Sequence, residues 1–295
     1  MSAINTNIPR AKRAAALLTS CALLLTTGCA SIANKAADKL SRSLAAGVAN
    51  HDDPDTVAAG LPAYLILIDG FIAEDPENAG LLLAGAKLYS AYSGGFVIDI
   101  ERRKRLAERG FDYAKRGICV RDKALCSAIN SGEFEQFERI VSAQQPDAIQ
   151  TLYTLASSWA SWLQADTGDW ARIADLPRIE AALNRVWRAE PEYDHGNVLA
   201  YLGVLDCLRP ESLGGKPERG RDRLQQAFEH SGKRNLMPKV LQAEFCARLL
   251  FDQALHDAAI ALVLESDANS PGLTLSNVIA KRRAAELMET GKDFF

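Results

Sequence analysis

The sequence predicts an all-α fold of degenerate tetratricopeptide-like helical hairpins, with about 11–12 helices in all. Three observations lead there. Apolar residues recur at helical spacing through most of the chain, and clusters of Pro, Gly and Asp interrupt them every helix or two. No four-to-eight-residue β-branched alternation stands out. Hydrophobic content of 48% beside 24% charged residues marks a globular chain long enough for a sizeable core.

The first segment is an export signal. Residues 1–13 carry Arg10, Lys12 and Arg13 and no acid, and residues 14–25 read AAALLTSCALLL. A basic start and a short apolar run make a secretory signal peptide; a membrane span needs about 20 apolar residues. The run ends in Leu25-Thr26-Thr27-Gly28-Cys29, which resembles a bacterial lipoprotein signal. Small residues before the cut suit the peptidase pocket, and the Cys29 thiolate can take a diacylglyceryl group as a thioether. Thr26, where Leu is usual, departs from the pattern. The alternative is ordinary cleavage after Ala30 with loss of Cys29.

The chain therefore divides into a lipoprotein signal peptide (1–28), a lipid anchor with an amphipathic N-terminal helix and linker (29–55), and a helical domain (56–295). Ile32, Ala36, Leu40, Leu44 and Val48 form the stripe of that first helix, and "NHDDPD" (50–55) ends it. Two or more acyl chains, at about 0.8 kcal/mol per buried methylene, anchor a protein stably. Ala30 after the lipidated position, rather than Asp, resembles default sorting to the outer membrane, with the body facing the periplasm. Of 34 Lys+Arg three leave with the signal, so 31 face 37 Asp+Glu, a net charge of −6. Such a body does not attract nucleic acid through charge, and membrane attachment is left to the lipid.

Within the domain, spacing and punctuation predict helices over 56–74, 78–93, 101–118, 122–130, 133–142, 147–165, 172–189, 195–208, 217–231, 237–255, 256–265 and 274–290. The breaks are "EDPEN" (74–78), "YSGGF" (92–96), "AEPEYDHG" (189–196), "RPESLGGKPE" (209–218) and "ANSPG" (268–272). Two stretches approximate the tetratricopeptide pattern of large and small residues. After Pro76, Leu82, Ala86 and Tyr89 fit a first helix and Ala107, Phe111 and Ala114 a second. After Pro191, Leu199, Leu202 and Gly203 fit a first helix and Gly220, Leu224 and Ala227 a second. The small residues let two helices approach closely, and the large ones fill the space beside them.

Beyond Cys21 and Cys29, four cysteines remain: Cys119, Cys126, Cys207 and Cys246. In an oxidising compartment an even number invites disulfides. Cys119 and Cys126 flank a short apparent loop and are the better pair. Cys207 and Cys246 lie on separate helices, and either pair or sit buried as small hydrophobes. No C-x-x-C and no His spacing marks a metal site, and no cofactor is implied.

No enzyme motif emerges. His51, His195, His230 and His256 fit no H-E-x-x-H, and no G-x-S-x-G or Walker sequence is present. "LGGKPE" (213–218) lacks the spacing of a phosphate loop, and "DDPD" (52–55) lacks the glycine turn of a calcium loop, so both read as helix junctions. Two stretches are candidates for ligand binding. In "YTLASSWASWLQADTGDWARIADLP" (153–177), Trp159, Trp162 and Trp170 gather beside Asp169, as suits a small, partly apolar ligand; interlayer packing with Asp169 as a helix cap is the competing reading. In "HSGKRNLMPKVLQAEFCARLLFD" (230–252), Asn235, Lys239 and Arg248 could form a polar rim for a carboxylate, against a plain solvated face and helix start.

These stretches carry a resemblance. "LPAYLILIDGFIAEDPENAGLLLAGAKLYSAYSGGFV", "WASWLQADTGDWARIADLP", "LGVLDCLRPESLGGKPERGRDRLQQAFEHSGKRNLM" and "LTLSNVIAKRRAAELMETGKDFF", in that order from Leu61 to Phe295, are similar to the T-component proteins of TRAP (tripartite ATP-independent periplasmic) transporters. The resemblance implies a tetratricopeptide-like fold, a lipid anchor, a homotrimer, and partnership with the periplasmic solute-binding P-component. It implies passage of a small hydrophobic or organic-acid ligand, and no catalysis. The alternative is a scaffold lipoprotein in envelope assembly without a small ligand.

Overall fold

A computed structural model describes residues 43–295. The signal peptide, Cys29 and the first part of the amphipathic helix lie outside the described residues. Residues 43–49 are helical and belong to a unit of their own; residues 50–295 form the second compact unit, which carries every element below. All regular structure among the described residues is helical.

Helix α1 (Pro54–Glu74) starts within "DDPD". The Asp53 carboxylate accepts from the Asp55 amide at 3.0 Å and from the Thr56 hydroxyl, and Pro54 fills the first turn. Val57, Leu61, Leu65, Ile68 and Ile72 form its buried face. The opposite face is apolar too, with Ile66 74% exposed and Leu67 and Phe71 also open. By length and composition α1 could cross a membrane, with a mean hydropathy of 1.7. Asp69, the sole charge between Asp55 and Glu74, is held by three donors: Tyr89 Oη at 2.6 Å, Tyr113 Oη at 2.7 Å and Arg109 Nη1 at 2.8 Å.

That clamp fastens α1 to the first hairpin, α2 (Ala79–Phe96) and α3 (Ile100–Arg121). Leu82, Ala86 and Tyr89 of α2 and Ala107, Phe111 and Ala114 of α3 are all buried between helices, as the repeat pattern requires. Helix α2 runs on through "SGG", where the sequence suggests a stop. Its small residues allow close approach to a later helix: the Ser93 and Ser161 hydroxyls lie 3.3 Å apart. Asp69→Ala is expected to cost about 2–3 kcal/mol, since hydrogen bonds to a charged group contribute about 1.5–3 kcal/mol each and are not additive. Urea unfolding would measure it, and a loss below about 0.5 kcal/mol would refute the clamp. Burial, reinforced by donation to Asp69, raises the pKa of both Tyr89 and Tyr113. The unfolded phenols ionise near pH 10, so this contribution is complete below that pH and fades as pH rises above it.

Short helices α4 (Lys123–Ser131) and α5 (Phe134–Ser142) lead to the central α6 (Ile149–Gln164), which packs on α2 and α3. A single turn, α7 (Trp170–Ile173), precedes α8 (Leu176–Ala189). The sequence suggests one helix over 172–189; Pro177 in the first turn of α8 makes a fresh start there instead.

The second hairpin pairs α9 (Asn197–Cys207) with α10 (Pro217–His230). Its backbones nearly touch: a Cβ on Gly220 would lie 2.6 Å from the Gly203 carbonyl oxygen and 2.3 Å from Cys207 Sγ. Helix α11 begins as Met237–Leu241, widens into π turns over Gln242–Ala247 and closes as Arg248–Leu250. It stops short of the predicted 255 because Phe251 turns left-handed and Asp252 caps α12 (Gln253–Glu265), accepting from the Leu255 amide at 2.9 Å. Helix α13 (Thr274–Phe294) closes the chain over a core of Leu236, Val240, Ile260, Val263 and Leu287. Two disulfides are present among the described residues. Cys119–Cys126 joins α3 to α4, and Cys207–Cys246 joins α9 to the π turns of α11.

Candidate functional site

A groove of about 330 Å³ opens between Lys87 of α2, Tyr153 and Ser157 of α6, and Tyr193 and Asp194 of the turn before α9. The turn is unusual. Asp194 (φ 51°, ψ 47°) and His195 (φ 54°, ψ 37°) are both left-handed and are followed by Gly196 at φ 82°. A non-glycine residue in this region costs roughly 1–2 kcal/mol. Gly196 has no alternative, because a Cβ there would stand 2.4 Å from the Ala227 carbonyl oxygen.

The distorted turn aims Asp194 at the groove. One carboxylate oxygen, Oδ2, accepts from Tyr153 Oη at 2.6 Å and from Asn197 Nδ2 at 3.1 Å. The Tyr153 ring meets Tyr193 edge-on at 5.0 Å and Tyr201 at 6.3 Å. Burial drives the Tyr153 phenol well above its ordinary pKa and pushes Tyr201 up to about 12. Ser157 spends its proton on the Tyr153 carbonyl at 2.8 Å, leaving its oxygen as an acceptor. Lys87 makes no hydrogen bond or ion pair among the described residues. Desolvation lowers its pKa, and the charge of Asp194 pulls it part of the way back.

The residues singled out from sequence separate into three groups. Trp159 and Trp162 come together, each 5.1 Å from Phe111. Trp159 is core, 1% exposed, with its indole N–H on Asp175 at 3.2 Å. Trp162 donates to Glu108 and lies under the Arg172 guanidinium at 4.3 Å. Asp169 caps α7 by accepting from the Ala171 amide at 2.9 Å, and Trp170 stands 81% exposed.

The second group is internal to the α9–α11 region. Lys239 is buried, donates to Gln225 and, at 3.0 Å, to Gln242, and lies over the Phe228 ring. Asn235 is fully buried and supports the groove from behind. Its amide N–H donates to Asn197 Oδ1 at 2.9 Å and to the His195 carbonyl at 3.3 Å, the left-handed turn itself. Arg248 forms the third group alone, bound to Thr290 at 2.6 Å and stacked on Phe294. None of these contacts joins one group to another.

Sequence reasoning missed Lys87, Tyr153, Tyr193 and Asp194. The available signal was "EYDHG", in which Asp, His and Gly tolerate left-handed backbone better than bulkier residues. A larger hollow of about 790 Å³ lies between α3, α4, α5 and α6; within it Arg121 donates to Thr151 at 2.9 Å and Gln144 to Asp122 at 2.8 Å. Among the described residues, no cluster of three His, Cys, Asp or Glu could hold a metal ion.

The fold is a series of helical hairpins that carries a tyrosine-lined groove. Comparison with known proteins makes this specific: the chain belongs to the TRAP transporter T-component family, whose model matches residues 50–295. It is also similar to an uncharacterized protein of Treponema pallidum (strain Nichols), 23% identical over 261 residues that cover 83% of this chain and 81% of the relative.

Proposed function

We propose that this protein is a lipid-anchored accessory component of a TRAP-type solute transporter. It stands on the outer membrane, faces the periplasm, engages the solute-binding P-component and holds a small organic ligand without altering it. The observation that carries this reading is the family match over residues 50–295. Several features support it. The signal and Cys29 provide an anchor, and two disulfides suit an oxidising compartment. The groove has the size and mixed lining of a small-molecule site. The open apolar face of α1 suits self-association, such as the homotrimer expected of the family.

The test is affinity purification of the tagged full chain from membranes. A TRAP solute-binding protein should co-purify, and Cys29→Ser should move the protein to the soluble fraction. Partners drawn only from envelope-assembly proteins would refute the transport role, and unchanged membrane attachment of Cys29→Ser would refute the anchor.

A further inference from the structure

We infer that the groove takes a small zwitterion with one flat apolar group, an aromatic amino acid or a molecule of that shape and charge. This rests on the groove being the ligand site of the proposed accessory component, and it adds the class of ligand. The groove presents charges of opposite sign from separate elements, Lys87 from α2 and Asp194 from the turn before α9, with tyrosine rings among them. The two side chains do not form an ion pair with each other, and Lys87 has no hydrogen-bond partner among the described residues. A carboxylate placed at Lys87 would satisfy its ammonium.

Asp194 completes the complementary half. Tyr153 and Asn197 both bond Oδ2, so Oδ1 remains available to accept from a ligand ammonium. The carboxylate is held in place by a relay: Asn235 fixes Asn197 and the His195 carbonyl, and Asn197 fixes Asp194. Two consecutive left-handed residues maintain that aim against their own backbone preference, and strain of this kind gathers at ligand sites. The edge-on Tyr153–Tyr193 pair suits a flat group and adds ring attraction for a cation. At about 330 Å³ the groove is near the small end of ligand pockets, about 300–1,000 Å³, which limits the ligand to roughly one ring.

Calorimetric titration of the full-length protein in detergent with three probes sharing a phenyl ring tests this: L-phenylalanine, 3-phenylpropionate and 2-phenylethylamine. L-phenylalanine should bind at least about tenfold more tightly than either singly charged probe. Lys87→Met should weaken L-phenylalanine about tenfold and leave 2-phenylethylamine unchanged, and Asp194→Asn should do the converse, weakening both amines and sparing 3-phenylpropionate. Circular dichroism melts of both variants check the fold; should Asp194→Asn fail to fold, Lys87→Met and the probe ranking decide. Equal binding of 3-phenylpropionate and L-phenylalanine would overturn the inference, as would no binding of any probe at millimolar concentration. If a solute-binding protein still co-purifies in that event, the zwitterion falls and the transporter assignment stands.

Discussion

Asp206→Ala should destabilise the protein by about 3–5 kcal/mol, the usual cost of removing one member of a buried ion-pair cluster. The Asp206 side chain is only 5% exposed and sits on α9 facing two arginines of α10. Arg219 approaches it as a fork, with Nε 2.9 Å from Oδ2 and Nη2 bonded to Oδ1, and Arg223 Nη1 reaches Oδ2 at 2.8 Å. Arg219 also bonds Glu180 of α8 at 3.1 Å, so three helices are linked through one guanidinium. Without it, Arg223, whose side chain is 14% exposed, would face only Glu180 at 4.0 Å. Much of the penalty is therefore a stranded cation rather than a lost attraction. Asp206→Asn retains an acceptor and should fall between the two. The surface pair Lys292–Glu289 gives the contrast, because Lys292→Ala should change stability by less than about 0.5 kcal/mol. Urea midpoints with unchanged slopes would measure all three, and a loss below about 1 kcal/mol for Asp206→Ala would contradict the cluster's role.

The paired substitution Cys207→Ser/Cys246→Ser should cost about 4 kcal/mol, and Cys119→Ser/Cys126→Ser about 2.5 kcal/mol. The difference comes from the unfolded chain. The first bridge closes a sequence separation of 39 and the second only 7, and a longer closed loop removes more freedom from the unfolded ensemble. The longer bridge also fastens α9 to the π turns of α11, where the regular helical bonding is relaxed. Equilibrium unfolding of the two double variants would rank them. A larger loss from the short bridge would mean that native packing around Cys119, rather than loop closure, sets the stabilisation.

Much of the helical scaffold is legible in the sequence because its signals are local. Asp53, Asn78, Asp99, Asp122 and Asp252 each accept backbone N–H groups at a helix start, and each precedes a run of helical periodicity. Gly203 and Gly220 are legible as a pair because a repeat pattern fixes where two backbones must approach. The helix ends that differ depend on the folded chain: α2 continues through its glycines where Ser93 and Gly94 lie close to Ser161, and α11 ends at a left-handed Phe251.

The groove is less legible for the same reason. Lys87, Tyr153 and Asp194 come from three separate stretches, and only the folded chain brings them together. Large aromatics drew attention to Trp159, yet a side chain of that size beside small residues is what a core needs, and it lies in the core. Asn235 is the instructive intermediate. The sequence marks it as polar and positioned at a turn, whereas its contribution is to hold that turn's neighbour, the His195 carbonyl.

The order of the cysteines bears on how the chain, exported as proposed above, acquires its cross-links. Each of Cys119 and Cys207 is joined to the next cysteine along the chain, so the pairs are neither nested nor interleaved. A polypeptide threaded through a translocon amino end first would present Cys126 as the next thiol after Cys119, then Cys207 and Cys246 in turn. Oxidation in order of emergence would yield the native pairing.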